Sequence, residues 1–135
     1  MKLFVDTSAF IALVDRTDKN HQSAKKCYRE IIQSGNSLVS SNFVMCETLN
    51  YLRTRISYSV SIEFRESTYK SNILEISFIN LETEEAAYKI FKKYKDKDFS
   101  FTDCTSFALM ETEKIKKVFS FDRHFMQYGS FQMIP

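Results

Sequence analysis

Four carboxylates stand where a chain of alternating strands and helices would gather its loops: Asp6, Glu47, Asp103 and Asp122. Asp6 directly follows the apolar run Leu3-Phe4-Val5, and Asp122 follows Val118-Phe119-Ser120-Phe121. Glu47 and Asp103 fall in the opening turns of expected helices, in Asn42-Phe43-Val44-Met45-Cys46-Glu47 and Phe99-Ser100-Phe101-Thr102-Asp103. Strand ends and helix starts share one edge of a parallel sheet, which is where such folds take ligands. Acids collected there repel one another unless a hard cation lies among them. Mg2+ is the ion to expect, because it takes oxygen ligands, keeps several waters and needs neither His nor Cys. The chemistry that follows is phosphodiester hydrolysis, with a bound water activated and the scissile phosphate held.

Each acid also has an ordinary explanation. Asp103, three residues after Ser100, makes a capping box, and Asp6 and Asp122 could simply open loops. Glu47 has Phe43 and Val44 one turn before it and Tyr51 one turn after, so it is expected on a partly apolar face, where an unpaired carboxylate is costly. Thr7, Ser8, Asn50, Ser100, Thr102 and Ser120 flank the acids; Ser8, Asn50 and Ser120 are the best candidates for orienting carboxylates or metal-bound water. His21 and His124 lie outside the acidic motifs and are assigned to solvent or packing. Cys27, Cys46 and Cys104 form no C-x-x-C pair or zinc spacing, and an odd number argues against a disulfide framework. Cys46 and Cys104 each adjoin an acid, but helix neighbours point roughly 100° apart, so both are expected to face the core.

The elements that must position these residues are readable from periodicity. Strands are expected at Lys2 to Val5, Ser37 to Ser40, Ile73 to Phe78, Lys117 to Phe121 and Phe131 to Ile134. Helices are expected from Ser8 to Val14, from Asn20 to Ser34 with a left-handed stop at Gly35-Asn36, from Asn42, from Tyr58 to Lys70, from Ser100 to Thr112, and briefly from Arg123. Thr83 is expected to cap one more helix, opened by Glu84 and Glu85, lined by Ala87, Ile90, Phe91 and Tyr94, and closed by Lys92, Lys93 and Lys95. Strands alternating with helices predict an α/β three-layer sandwich, with a short, mostly parallel five-stranded sheet flanked by about seven helices.

The 135 residues are expected to form one domain, 1–135, since two Gly and one Pro leave no linker or low-complexity tract. The apolar run to Val14 contains Asp6 and ends at Asp15-Arg16 without a cleavage pattern, so it reads as strand and helix rather than a signal, and the expected location is cytoplasmic. Nineteen basic residues face seventeen acidic ones, a net charge of +2; with the four acids set aside, nineteen face thirteen, a balance of +6. An acidic pocket in a basic surround suits a polyanionic substrate. Lys92-Lys93-Tyr94-Lys95 and Lys114 to Lys117 are candidate contacts, although such runs are usually solvated helix ends.

Taken in order, Val5-Asp6-Thr7-Ser8, Glu47 with Leu49-Asn50, Phe99 to Cys104, and Val118 to Phe125 resemble the PIN-domain ribonucleases, across essentially the whole chain. Small stand-alone members are most often VapC-type toxins of toxin–antitoxin pairs. The resemblance implies a Mg2+- or Mn2+-dependent endoribonuclease that cuts RNA, forms homodimers and is inhibited by a small antitoxin protein. It carries the family's four acidic positions onto Asp6, Glu47, Asp103 and Asp122, its polar position onto Ser8, and an additional acid of some members onto Asp98. Cys104 departs from the family, where many members have Ala.

Other readings are weaker. A phosphoacceptor receiver needs an acid pair after the first strand and a Lys ending a later one, whereas Asp6 stands alone. A haloacid-dehalogenase-type phosphatase needs Asp where Ser8 stands. A non-catalytic RNA-binding or interaction domain gains nothing from four clustered carboxylates. A PIN nuclease acting in RNA maturation rather than as a toxin stays open.

Overall fold

Leu3, Phe4 and Val5 are uniformly apolar, so a strand made of them must be covered on both faces and belongs at the centre of a sheet. That is where the computed structural model, which describes residues 1–135, places them. The element order is β1 (Lys2–Val5), α1 (Thr7–Val14), α2 (His21–Gln33), β2 (Ser37–Ser41), α3 (Asn42–Arg55), α4 (Tyr58–Lys70), β3 (Leu74–Ser77), α5 (Leu81–Lys93), α6 (Phe101–Thr112), β4 (Lys117–Phe119), α7 (His124–Tyr128) and β5 (Gln132–Ile134). The sheet order is β3-β2-β1-β4-β5, and every pairing is parallel. The seven helices flank this five-stranded sheet in the expected three-layer α/β arrangement.

Successive crossovers run from β1 outward through β2 to β3, then return to β4 on the other side of β1. The direction of winding therefore reverses between β1 and β4, and the ends of these two strands frame a cleft. No helix is long and apolar enough to cross a membrane.

Some boundaries differ from the periodicity. Thr83 does not cap α5: the cap is Asn80, whose side chain accepts the Thr83 backbone N–H at 2.9 Å, and Thr83 is buried inside the first turn. The extended backbone of Asn80 lets its side chain reach that N–H, so the helix opens earlier than its polar-to-apolar pattern suggests. β4 ends at Phe119 rather than Phe121, because the chain beyond it turns so that the Asp122 N–H meets Ser120 Oγ at 3.0 Å. The stop after α2 is as expected: Gly35 takes φ +73° and its N–H bonds the Ile32 carbonyl.

Behind the sheet edge, α6, α7 and β5 close on an aromatic cluster. Phe107 is fully buried, stacks on Tyr128 at 4.4 Å and 13°, and meets Phe99 and Phe125 edge-on, each at 5.1 Å. Edge-to-face and offset stacking add to the burial of such rings. Phe107→Ala is expected to cost about 3–5 kcal/mol, read from the midpoint shift of urea unfolding; a loss below about 1 kcal/mol would mean that the cluster collapses around the gap.

Candidate active site

The register of β1 and β4 sets the first half of the site. Val5 pairs with Phe119, and the Asp6 N–H extends the ladder to the Phe119 carbonyl at 3.1 Å. Asp6 and Ser120, next along the two strands, therefore lie side by side. Ser8 Oγ donates to Asp6 Oδ2 at 2.8 Å, and Ser120 Oγ donates to the same oxygen at 3.0 Å. The two hydroxyls stand 3.1 Å apart, and Ser8 Oγ also accepts the Phe121 N–H at 2.9 Å. Asp6 is also the N-cap of α1, with the Ser8 N–H 3.4 Å from Oδ2.

α6 brings the third acid. The capping box is present: Ser100 Oγ accepts the Asp103 N–H, and Asp103 Oδ2 accepts the Ser100 N–H, each at 3.0 Å. The same Oδ2 lies 2.7 Å from His124 Nδ1, while the His124 N–H donates to Asp122 Oδ1 at 2.9 Å. The assignment of His124 to solvent or packing is thus overturned. Its ring joins Asp103 to Asp122 and rests edge-on against Phe99 at 5.4 Å. The signal was present in Asp122-Arg123-His124, which sets an imidazole at the first position of α7, two residues past an acid. His21, by contrast, is used in packing, its Nδ1 2.7 Å from the Ala12 carbonyl oxygen.

Electrostatics mark the same residues. Burial pushes the Asp6 carboxyl up to about 6, Asp103 and Asp122 push it further the same way, and the Ser8 and Ser120 hydroxyls act against the rise. Asp103 is also raised, first by burial and then by Asp122, against the Ser100 N–H and His124. No Lys or Arg pairs with any of the four acids.

Glu47 stands apart from the three aspartates. It is exposed, makes no hydrogen bond or ion pair, and lines an open pocket shared with Thr102, the neighbour of Asp103. The expectation of a costly, partly apolar setting for it does not hold, because that face of α3 opens to solvent. For the same reason Cys46 is exposed rather than turned to the core, while Cys104 and Cys27 are buried as small apolar residues. Asn50, also exposed, lies in the Glu47 pocket, its Nδ2 3.8 Å from Cys46 Sγ. Asp98 is exposed on the loop before α6 and makes no hydrogen bond.

The donor set suits a divalent cation. Hydrogen bonds occupy Oδ2 of Asp6, Oδ2 of Asp103 and Oδ1 of Asp122, leaving the other oxygen of each unengaged. Ligand atoms of Asp103, Asp122 and His124 lie within 4.8 Å of one another, close enough to face one ion, while Asp6 adjoins this group rather than forming part of it. Thr7 Oγ1, buried directly after Asp6, has no partner. Hard oxygens with engaged outer atoms are what Mg2+-like ions take.

A family described as PIN domain matches residues 3–130. The 23S rRNA-specific endonuclease VapC20 of Mycobacterium tuberculosis is 27% identical over 133 residues, covering 98% of each chain. Its crystal structure, described as a sarcin-ricin loop cleaving toxin, superposes with a TM-score of 0.90 at 26% identity, over 98% of this chain and 99% of that one. A VapC ribonuclease of Archaeoglobus fulgidus is 27% identical over 127 residues, 93% of this chain and 80% of that one. VapBC2 from Rickettsia felis, bound to a promoter DNA fragment, shares the fold at a TM-score of 0.74 and 11% identity, over 98% of this chain and 97% of that one.

Proposed function

The chain belongs to the PIN-domain family, and on that premise we propose that it is a Mg2+-dependent endoribonuclease, the toxin of a VapBC-like toxin–antitoxin pair. The observation that carries the reading is the convergence of Asp6, Asp103 and Asp122 at the reversal of the sheet, with Asp6 and Asp103 held against burial without a Lys or Arg partner. Such a site stores electrostatic strain that a cation relieves, as Mg2+, or Mn2+ in its place, would. Asp6, Asp103 and Asp122 would hold the ion, with Glu47 the fourth acid facing the substrate side. The ion supplies charge to a phosphate and acidity to a bound water. Ser8 and Ser120 keep Asp6 ionisable and aimed, His124 fixes Asp103 against Asp122, and Asn50 and Asp98 are outer candidates at the rim.

The likeness to VapC ribonucleases along nearly the whole chain supports RNA as the substrate; a cognate antitoxin and a homodimer as partners, and action in the cytoplasm by a single nuclease domain spanning 1–135, complete the proposal. A small antitoxin gene beside this one favours the toxin; its absence favours RNA maturation.

The test is cleavage of total cellular RNA with Mg2+ and with EDTA, the cut sites mapped by primer extension. Discrete cuts that require the metal are expected; RNA left intact in Mg2+ and Mn2+ would sink the proposal. A companion prediction concerns binding. Log affinity for single-stranded RNA should fall with log salt at roughly −0.7 per phosphate contacted, and binding should weaken in EDTA. Lys92, Lys93 and Lys95 are exposed where α5 ends against α6, and replacing them with Gln is expected to flatten that slope. An unchanged slope would leave them as solvated charges.

A further inference from the structure

The pocket beside Glu47 has a chemistry of its own. It is open, about 480 Å3, and lies between α3 and the start of α6, lined by Asn42, Phe43, Cys46, Glu47, Asn50 and Thr102. That volume falls within the ~300–1,000 Å3 of small-ligand sites. Its lining holds no Lys or Arg and includes an unpaired carboxylate, so it repels phosphate and suits a neutral, planar, hydrogen-bonding group.

Phe43 supplies a braced face for such a group. Its ring rests on Phe101 at 6.2 Å, and Phe101 in turn meets Phe91 edge-on at 5.8 Å. Two amides flank it. Asn42 Oδ1 is tied to the Ile79 N–H at 2.7 Å, which leaves its NH2 as a donor. Asn50 makes only a long contact to Cys46, so its amide presents both a donor and an acceptor.

We propose that this pocket takes one unpaired nucleobase of the RNA strand, next to the phosphate held at the aspartates. The proposal rests on the nuclease reading above and adds to it a base-reading subsite. Unstacked bases are recognised by stacking on aromatic side chains with hydrogen bonds to their edges. The walls of the pocket are α3 and α6, the helices that carry Glu47 and Asp103, and its lining includes Glu47 itself and Thr102, the neighbour of Asp103.

The experiment uses the wild-type protein with Ca2+ in place of Mg2+, a larger and more loosely coordinated ion expected to hold the phosphate without cutting, and fluorescein-labelled homopolymer oligoribonucleotides beside an abasic ribose-phosphate chain of equal length. Anisotropy should show at least one base-bearing chain bound roughly five- to hundredfold more tightly than the abasic chain. Adding Asn50→Ala should shrink that ratio roughly two- to tenfold, the effect of one lost hydrogen bond. Phe43→Leu should remove most of the ratio and bind the abasic chain as the parent does. Asn50 is exposed, so its variant keeps the test open should Phe43→Leu unfold. A ratio near one, or equal weakening of both kinds of chain, would overturn the pocket while leaving wild-type cleavage untouched. Loss of wild-type cleavage with the ratio intact would overturn the nuclease instead.

Discussion

Asp6→Asn is expected to lower RNA cleavage on the order of a thousandfold or more, with the fold retained. Asn keeps the shape of the side chain and can still accept from Ser8 and Ser120, which now bond Asp6 Oδ2 at 2.8 and 3.0 Å. What it loses is the charge that would hold the cation. A metal contributes several kcal/mol to the stabilisation of developing charge, and each ~1.4 kcal/mol is tenfold in rate. Ser120→Ala, which releases Asp6, the Asp122 N–H and the contact with Ser8 Oγ but keeps the charge, should lose roughly ten- to hundredfold. Single-turnover cleavage at saturating Mg2+, with circular dichroism to check folding, separates the two. Near wild-type cleavage by Asp6→Asn would remove it from the site.

The same residue should govern stability against pH in metal-free protein. Its carboxyl is pushed up to about 6 from 3.8, so between those values the folded state binds the proton and the unfolded state does not. Stability therefore falls as pH rises from about 4 to 6, and the cost is fully present at neutral pH. About two units at ~1.4 kcal/mol each is a cost of about 3 kcal/mol. Asp6→Asn removes it, so the metal-free variant should melt roughly 10 °C above metal-free wild type at pH 7. The gap should close at pH 4, where wild-type Asp6 is largely protonated when folded. Millimolar Mg2+ should raise the wild-type melting temperature through binding to the folded form, and barely move the variant. Equal melting at pH 7 in EDTA would contradict the burial of this charge.

The sheet and the placement of three acids were legible because they rest on local rules. An all-apolar run must lie at the centre of a sheet, and a Ser followed three residues later by an acid caps a helix; Leu3 to Val5 and Ser100 with Asp103 obey both. For Asp6 and Asp103, the capping role and the clustering turned out not to compete, since capping engages one oxygen and leaves the other. Glu47 and Cys46 were misjudged because their neighbours along the helix are apolar, whereas exposure depends on which other helix covers that face. No local pattern reports that none covers it. His124 was missed for a related reason. Its partner Asp103 is 21 residues earlier, and only the closing of α7 against α6 brings the two within 2.7 Å.

The hydroxyl pair that holds Asp6 joins residue 8 to residue 120. During synthesis the first strand and its acid leave the ribosome early, but Ser120, Asp122 and His124 follow more than a hundred residues later. At roughly 5–20 residues per second that interval lasts several seconds. Through that time the growing polypeptide has no β4 to lie beside β1 and no second hydroxyl for Asp6. The cluster around Asp6 is therefore completed only when the last strands dock, and until then the first acid stands without the Ser120 hydroxyl, Asp122 and His124.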